Sequence, residues 1–164
     1  MNRFGGPGGG LDLPNGGTEV FVEVMMLAVS ALAQEPWEYR FAALMAAQDQ
    51  NMVGRGCVGF DVDEVAWGST AEERAAVRDF VLCVVDLAAR GYRWDELGYE
   101  PPYAKGYLSR FRAMVEEFGP ARDGSASART TVLPGHDDDA LAMCVRHRVL
   151  ALAEWGGCCV FCTR

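Results

Sequence analysis

Four potential metal ligands lie in two pairs near the C-terminal end of this 164-residue sequence. Cys144 and His147 are separated by two residues, and Cys159 and Cys162 repeat that interval after eleven intervening residues. Two side chains at this interval can lie on one side of a tight turn, and two such pairs complete the tetrahedral coordination that Zn²⁺ prefers. The types and spacing of these residues therefore predict a Cys3His zinc site.

The two pairs resemble the turns of the zinc-ribbon and zinc-knuckle family, and the resemblance covers residues 140–164 only. It implies two turns on short hairpins and a zinc ion with a structural role. Gly156 and Gly157 fit this pattern because such turns need backbone freedom beside the sulfurs, whereas the absence of a glycine after Cys162 departs from it. A closed set of four ligands leaves no position for water, so the predicted ion stabilises the fold and does not catalyse a reaction.

Other interpretations of the cysteines stay open at the level of sequence. Cys158 could replace Cys159 as a ligand, because its interval of four residues to Cys162 is also feasible. These three residues could instead form a disulfide or redox group, or be unrelated thiols. Cys57 and Cys83 stand alone, and the helical pattern around Cys83 places it in the core. Because the other four cysteines cluster near one end, a metal site in a reducing cytosol fits better than a secreted disulfide framework.

The charge of the chain is unevenly distributed. The formal net charge is −8, and because residues 129–164 are neutral, residues 1–128 carry all of it. An acidic surface repels phosphate backbones and suits a basic protein partner, so a nucleic-acid ligand is not expected. Lys105 is the only lysine among fifteen basic residues, and the abundance of Ala, Gly and Arg is typical of a GC-rich bacterial genome.

One apolar run resembles a signal peptide. Residues 25–33 have the small and apolar composition of such a segment, but Glu19 and Glu23 precede them closely and Arg3 is the only cation on that side. The run is also shorter than the roughly 20 residues that span a bilayer. We therefore expect a cytoplasmic protein with no membrane segment.

Composition divides the chain into four predicted parts. Residues 1–17 are rich in Gly and Pro and are predicted to be flexible. Residues 18–120 show helical periodicity and form an acidic helical domain, residues 121–128 have the composition of a linker, and residues 129–164 form the zinc-knuckle tail. The predicted fold is mainly α: a bundle of about four helices with a small C-terminal β-hairpin appendage.

The helix boundaries carry recognisable signals. Thr18 can cap the first helix, in which Glu19 and Glu23 lie on a narrow polar edge of an otherwise apolar segment. We expect this helix to be central to the core. Thr70 and Glu73 form a capping box that predicts the start of the clearest helix in the sequence.

Acidic and aromatic residues alternate in the segments between the predicted helices. Such a mixture suits a protein-binding surface, because aromatic residues contribute most at the centres of interfaces. Two alternatives remain: the rings could close the end of the bundle, and the carboxylates could cap a turn. His136 with Asp137–Asp139 could also be a metal or general-base cluster, or simply a solvated charge run. The predicted interaction residues are Asp61, Asp63, Glu64, Trp67, Trp94, Asp95, Glu96 and Tyr99.

These features favour a cytosolic, acidic protein-binding protein with a structural zinc site. A toxin-neutralising immunity or antitoxin-like protein is one concrete version, since an acidic surface can cover a basic active site. The first alternative is a zinc-ribbon nucleic-acid-binding regulator that uses Arg146, Arg148 and Arg164. The second is an enzyme that uses the acidic clusters, although no nucleophile and base can be paired with confidence from only two histidines.

Overall fold

The computed structural model describes residues 1–118 and 141–162. As predicted, the fold is mainly helical with a small C-terminal β-hairpin. Two short antiparallel ribbons accompany the helices, one at each end of the described chain. The described residues contain five α-helices: α1 (Asn15–Leu32), α2 (Pro36–Ala46), α3 (Gln50–Val53), α4 (Ala71–Ala89) and α5 (Ala104–Phe118).

Helix α1 is central to the core, as its apolar composition predicts. It packs against α2, α4 and α5, and most of its residues are buried. Within the described ranges it is the one helix long and apolar enough to cross a membrane, by length and composition alone. Because 61% of it is buried against the rest of the protein, it also has the burial that a core helix shows.

The prediction of a flexible segment at residues 1–17 is wrong. Strand β1 (Asn2–Phe4) pairs with strand β2 (Leu11–Leu13) in an antiparallel ribbon. Phe4 and Leu13 are buried, and the Phe4 ring lies edge-on to Phe21 of α1 at 5.0 Å between centroids. The glycines lie mainly in the loop between two short strands whose alternate side chains enter the core, so burial of those side chains outweighs the cost of ordering the loop.

A neutral hydrogen-bond network fixes the N-terminal ribbon to the helices. The buried Asn2 amide donates to Thr18 Oγ1 at 2.9 Å and to Gln50 Oε1 at 3.3 Å, and it accepts from the Val58 N–H at 3.3 Å. Thr18 was expected to cap α1, but the helix begins earlier, at Asn15. Thr18 instead lies within the first turn of the helix and is buried, and its hydroxyl oxygen accepts the hydrogen bond from the Asn2 amide.

The other predicted caps are confirmed. Thr70 Oγ1 accepts from the Glu73 N–H at 3.1 Å, and the Glu73 carboxylate accepts from the Thr70 N–H at 3.0 Å, so α4 starts with a capping box. A second capping box joins Asp61 and Glu64 around the short 3-10 helix Val62–Glu64. The acidic residues at this turn therefore have a local structural role.

The C-terminal hairpin shares the core of the helical bundle. Strand β3 (Leu141–Cys144) pairs with strand β4 (Val149–Leu152), and every residue of β4 is buried. Strand β4 packs against α1 and α2, and the Leu150 N–H donates to Ser30 Oγ of α1 at 2.9 Å. The hairpin is therefore built into the bundle, although the division of the chain into domains remains a prediction.

Several predictions fall on residues outside the described ranges. They concern the linker at 121–128 and the cluster of His136 with Asp137–Asp139. Arg164 lies outside as well.

Candidate metal centre

The first pair of predicted ligands lies on the hairpin. Cys144 ends β3, and His147 lies in the turn that leads to β4. The Arg148 N–H closes this turn by donating to the Cys144 carbonyl at 2.7 Å, and Arg148 adopts a left-handed φ of 53°. The turn therefore directs the side chains of Cys144 and His147 to the same side.

The second pair lies in the turns that follow β4. A 3-10 turn ends at Trp155, and Gly156 and Gly157 then adopt left-handed φ angles of 68° and 71°. A side chain at either position would strain this conformation, which confirms the need for backbone freedom before the second pair. The Cys162 N–H donates to the Cys159 carbonyl at 2.8 Å and so closes the last turn.

The four ligand atoms approach the separations of a tetrahedral zinc site. His147 Nδ1 lies 3.3 Å from Cys159 Sγ and 3.4 Å from Cys162 Sγ. Cys144 Sγ lies 3.7 Å from both His147 Nδ1 and Cys162 Sγ, and the two sulfurs of the second pair are 4.0 Å apart. With Zn–S of about 2.3 Å and Zn–N of about 2.0 Å, a tetrahedron requires about 3.8 Å between sulfurs and about 3.5 Å between sulfur and nitrogen.

The structure distinguishes between the two neighbouring cysteines. Cys159 is buried and belongs to the group of four, whose ligand atoms all lie within 4.8 Å of one another, whereas Cys158 is exposed. All six cysteines are free, and the sulfur separations within the group are far longer than the roughly 2.05 Å of a disulfide. Cys83 is exposed on α4, so its predicted place in the core is wrong.

The electrostatics of the group favour a bound cation. Burial opposes ionisation of Cys144, but hydrogen bonds from the His147 N–H, the His147 ring, Cys159 and Cys162 outweigh it and lower the pKa of the Cys144 thiol to about 6. Burial and the neighbouring Cys144 raise the pKa of the Cys159 thiol to about 12. One thiol of the group therefore ionises easily, and its negative charge opposes ionisation of a second thiol. A divalent cation bound between the sulfurs would offset this repulsion.

Arg93 connects this group to the helical body. Its guanidinium donates to the His147 carbonyl at 2.7 Å and to the Arg148 carbonyl at 3.2 Å. Glu96 accepts two hydrogen bonds from the same guanidinium, at 2.9 and 2.6 Å, and lies 3.6 Å from Arg148 Nη2. The hydrogen bond with Glu96 raises the pKa of Arg93, and Arg93 lowers the pKa of Glu96. No signal in the sequence pointed to Arg93, since the contact joins residues more than fifty positions apart.

The predicted interaction residues fall into two groups. Asp61, Asp63 and Glu64 are exposed and have carboxylate oxygens close enough to hold a cation, although two of them already form the capping box described above. Trp67 follows them, donates from Nε1 to the Val62 carbonyl at 2.8 Å and stacks on Phe118 at 5.2 Å. This first group therefore lies at the C-terminal end of α5.

The second group lies at the other end of α5. Trp94, Asp95 and Tyr99 line a surface depression that precedes α5 in the chain, while Glu96 is held by Arg93. Because α5 has fifteen residues, about 22 Å separates its two ends. The structure thus brings the predicted interaction residues together as two separate patches and not as one surface.

Glu23 was predicted to lie on a wet helix edge, but it is 99% buried and accepts a hydrogen bond from the Tyr99 hydroxyl. A glutamate on the polar edge of an amphipathic helix is predicted from sequence to be exposed to solvent. Its partner comes from a segment 76 residues away, and this contact is visible only in three dimensions.

Fold and site together define a mainly helical protein with a Cys3His group that could hold a metal ion, as a zinc-binding segment would. Comparison of the chain with protein-family models, with curated proteins and with solved structures gives no match.

Proposed function

We propose that the Cys3His group binds one structural Zn²⁺, and that the chain is an acidic protein-binding protein whose fold this ion completes. The observation that supports the ion most directly is the set of separations between His147 Nδ1 and the three sulfurs, which match the edges of a zinc tetrahedron. Three sulfurs and one imidazole are also ligands that zinc accepts readily.

A structural role follows from the closed ligand set. Four protein ligands complete the coordination and leave no position for a substrate or a reactive water. The ion would join the β3–β4 turn to the loop that carries Cys159 and Cys162, next to a strand that is buried in the bundle. Thiolate ligands persist in a reducing compartment, which is consistent with a cytoplasmic location.

The protein-binding function rests on charge and on the aromatic residues at the surface. The net charge of −8 favours a basic partner, and carboxylates flank exposed or half-buried rings at both ends of α5. Neutralisation of a toxin with a basic active site, as by an immunity or antitoxin-like protein, is a concrete form of this function.

Native mass spectrometry tests the metal part of the proposal. The wild-type chain should carry one zinc ion, Cys159→Ser should carry none, and the matched control Cys158→Ser should keep it, because Cys158 is exposed and outside the group. A wild-type chain that keeps its full stability after chelation would contradict the structural role.

The partner part is tested by affinity capture from the natural host at moderate salt. A basic protein that co-purifies in a defined stoichiometry, and that binds the purified zinc-loaded chain, would support it. A monodisperse chain that captures no protein would count against it.

A nucleic-acid ligand is the second candidate, and one observation favours it. Arg146 and Arg148 are exposed on the β3–β4 turn, beside Val145, which is 94% exposed. Arg148 is already paired with Glu96, however, and the net charge opposes phosphate binding. A salt-dependent mobility shift that Arg146→Gln weakens would support this candidate; no shift of DNA or RNA at low salt would remove it.

A further inference from the structure

The end of the bundle beside the metal centre carries an open depression of about 380 Å³. Its size falls within the range of small binding pockets. Two aromatic rings and two carboxylates dominate its lining, which we call the aromatic depression. It is lined by Trp94, Asp95, Gly98, Tyr99, Glu100 and Pro101.

Contacts with the body hold the lining in place. The Tyr99 hydroxyl donates to the buried Glu23 of α1, while Tyr99 as a whole residue is 38% exposed. Trp94 is half-buried and packs against the core. Its neighbour Arg93 is fixed by the carbonyls of the metal-binding turn and by Glu96. A binding site held in this way loses little conformational entropy when a ligand enters.

The charges of the depression are available to a ligand. Asp95 and Glu100 are exposed, and Asp95 lies close enough to Arg93 to contribute to the raised pKa of that guanidinium. Glu96, by contrast, is already paired with Arg93. The depression therefore combines two exposed carboxylates with two partly exposed aromatic residues, and its lining contains no Lys or Arg.

We infer that the aromatic depression receives an arginine side chain from a basic protein partner, an inference that rests on the proposed protein-binding function. A guanidinium is planar and can stack on Trp94 or Tyr99 while its N–H groups reach Asp95 or Glu100. Charge-assisted hydrogen bonds of this kind are stronger than neutral ones. A lysine ammonium could meet one carboxylate but lacks the planar surface for stacking, so arginine is the favoured occupant.

A titration followed by two-dimensional NMR tests the inference with a defined probe. The probe is a capped Gly/Ser peptide with two arginines, and the comparison peptides carry lysine or the neutral isostere citrulline at the same positions. With the zinc-loaded chain, the arginine peptide should shift the resonances of residues 94–100 and bind about fivefold more tightly than the lysine peptide. The citrulline peptide should give no shifts.

Two variants with the same change of charge localise the site. Asp95→Asn with Glu100→Gln should weaken the arginine peptide about tenfold. Asp79→Asn with Glu72→Gln changes two exposed carboxylates on α4 and should leave the affinity within about twofold. Equal weakening by both variants would show that only net charge matters and would overturn the inference.

The remaining outcomes separate the inference from the function on which it rests. If a protein partner is captured but binds the Asp95→Asn/Glu100→Gln variant as well as wild type, the function stands and the arginine site is wrong. If the arginine peptide binds as expected but no protein is captured, the depression recognises arginine and the protein-binding function fails. Shifts at residues 94–100 that depend on protein concentration without peptide would identify a second copy as the occupant and overturn the inference.

Discussion

Both ends of the described chain form a two-stranded ribbon against α1, but different interactions hold the two ribbons in place. The N-terminal ribbon is held by buried side chains such as Phe4 and by the neutral hydrogen bonds of Asn2. The C-terminal hairpin also buries a strand, but its turn and the following loop meet at four ligand atoms. Ordinary packing suffices for the first ribbon, whereas the second brings together groups that a cation would stabilise.

This difference predicts that the stability of the N-terminal ribbon does not depend on a metal ion, whereas the stability of the C-terminal hairpin does. The network of Asn2, Thr18 and Gln50 contains no ionisable group. The C-terminal group contains three thiols and an imidazole, whose charge depends on pH and on bound ions. Because both ribbons pack near the same central helix, changes in one can be compared directly with changes in the other.

The largest expected effect is the loss of a cysteine ligand. Cys159→Ser should abolish stoichiometric zinc binding and loosen the β3–β4 hairpin, because the binding free energy of structural zinc, about 10–16 kcal/mol in small zinc modules, contributes directly to folding. Hydrogen exchange should rise at Leu150 and Ala151 while the ribbon residue Leu13 keeps its protection. Equal loss of protection at both ribbons would break the proposed division.

Acidification should release zinc and loosen the β3–β4 hairpin reversibly. The metal-free Cys144 thiol has a folded pKa lowered to about 6, so the stability it contributes is present above its unfolded pKa and is lost as pH falls through about 6. The raised pKa of Cys159 has the opposite sign: its contribution is present below the unfolded pKa and lost as pH rises towards about 12. Since zinc binds thiolates, protons compete with it, and zinc content measured between pH 8 and pH 5 should fall.

The N-terminal ribbon supplies the contrast in that titration. Its hydrogen-bond network should keep its hydrogen-exchange protection over the pH range in which zinc is released. Release of both ribbons at the same pH would show that the hairpin and the N-terminal ribbon unfold as one cooperative unit.

Truncation of Phe4 should cause the next largest loss. Phe4→Ala removes a fully buried ring that contacts Phe21 and Phe60, and such truncations cost about 3–5 kcal/mol in the free energy of unfolding. Zinc stoichiometry should stay at one per chain, as measured on the folded variant. Arg3→Ala on the same strand is the control: its pair with Asp12 is exposed and should contribute less than about 1 kcal/mol.

Removal of the buried amide should have a smaller effect. Asn2→Ala leaves Thr18 Oγ1, Gln50 Oε1 and the Val58 N–H without this partner, so we expect about 2 kcal/mol of destabilisation in urea unfolding. Asn51→Ala deletes the same side chain at an exposed position and should change stability by no more than about 0.5 kcal/mol. A similar small loss for both variants would mean that water replaces the Asn2 contacts.

The group of potential metal ligands and the α4 cap could be identified from sequence because each depends on residue types at short, fixed intervals. Cys144 with His147, Cys159 with Cys162, and Thr70 with Glu73 are patterns of this kind. The N-terminal ribbon was missed because strands of three residues are too short for their alternation to outweigh a Gly-rich composition. Its only local signal is the alternation of Leu11, Asp12 and Leu13.

The remaining features depend on contacts between distant segments. The pairs Glu23–Tyr99 and Arg93–His147 join residues that no local pattern relates. The two groups of predicted interaction residues precede and follow α4 in the chain, and they lie near opposite ends of α5. A helix between two segments carries them to opposite ends of the bundle, so one continuous surface is not formed.

The smallest expected effect tests whether the metal-dependent region extends into the helical body. Arg93→Gln removes the guanidinium that fixes the His147 and Arg148 carbonyls, and loss of such outer contacts typically weakens metal binding about tenfold or more. Zinc transfer to a chromogenic chelator should accelerate by about that factor, with stoichiometry unchanged. Arg90→Gln carries the same charge change at an exposed position near the end of α4 and should transfer zinc at the wild-type rate. Equal rates for the two variants would confine the metal-dependent region to the hairpin and its loop. Faster zinc transfer for Arg93→Gln alone would show that the metal-dependent region includes Arg93 and extends to its partner Glu96 and to the wall of the aromatic depression.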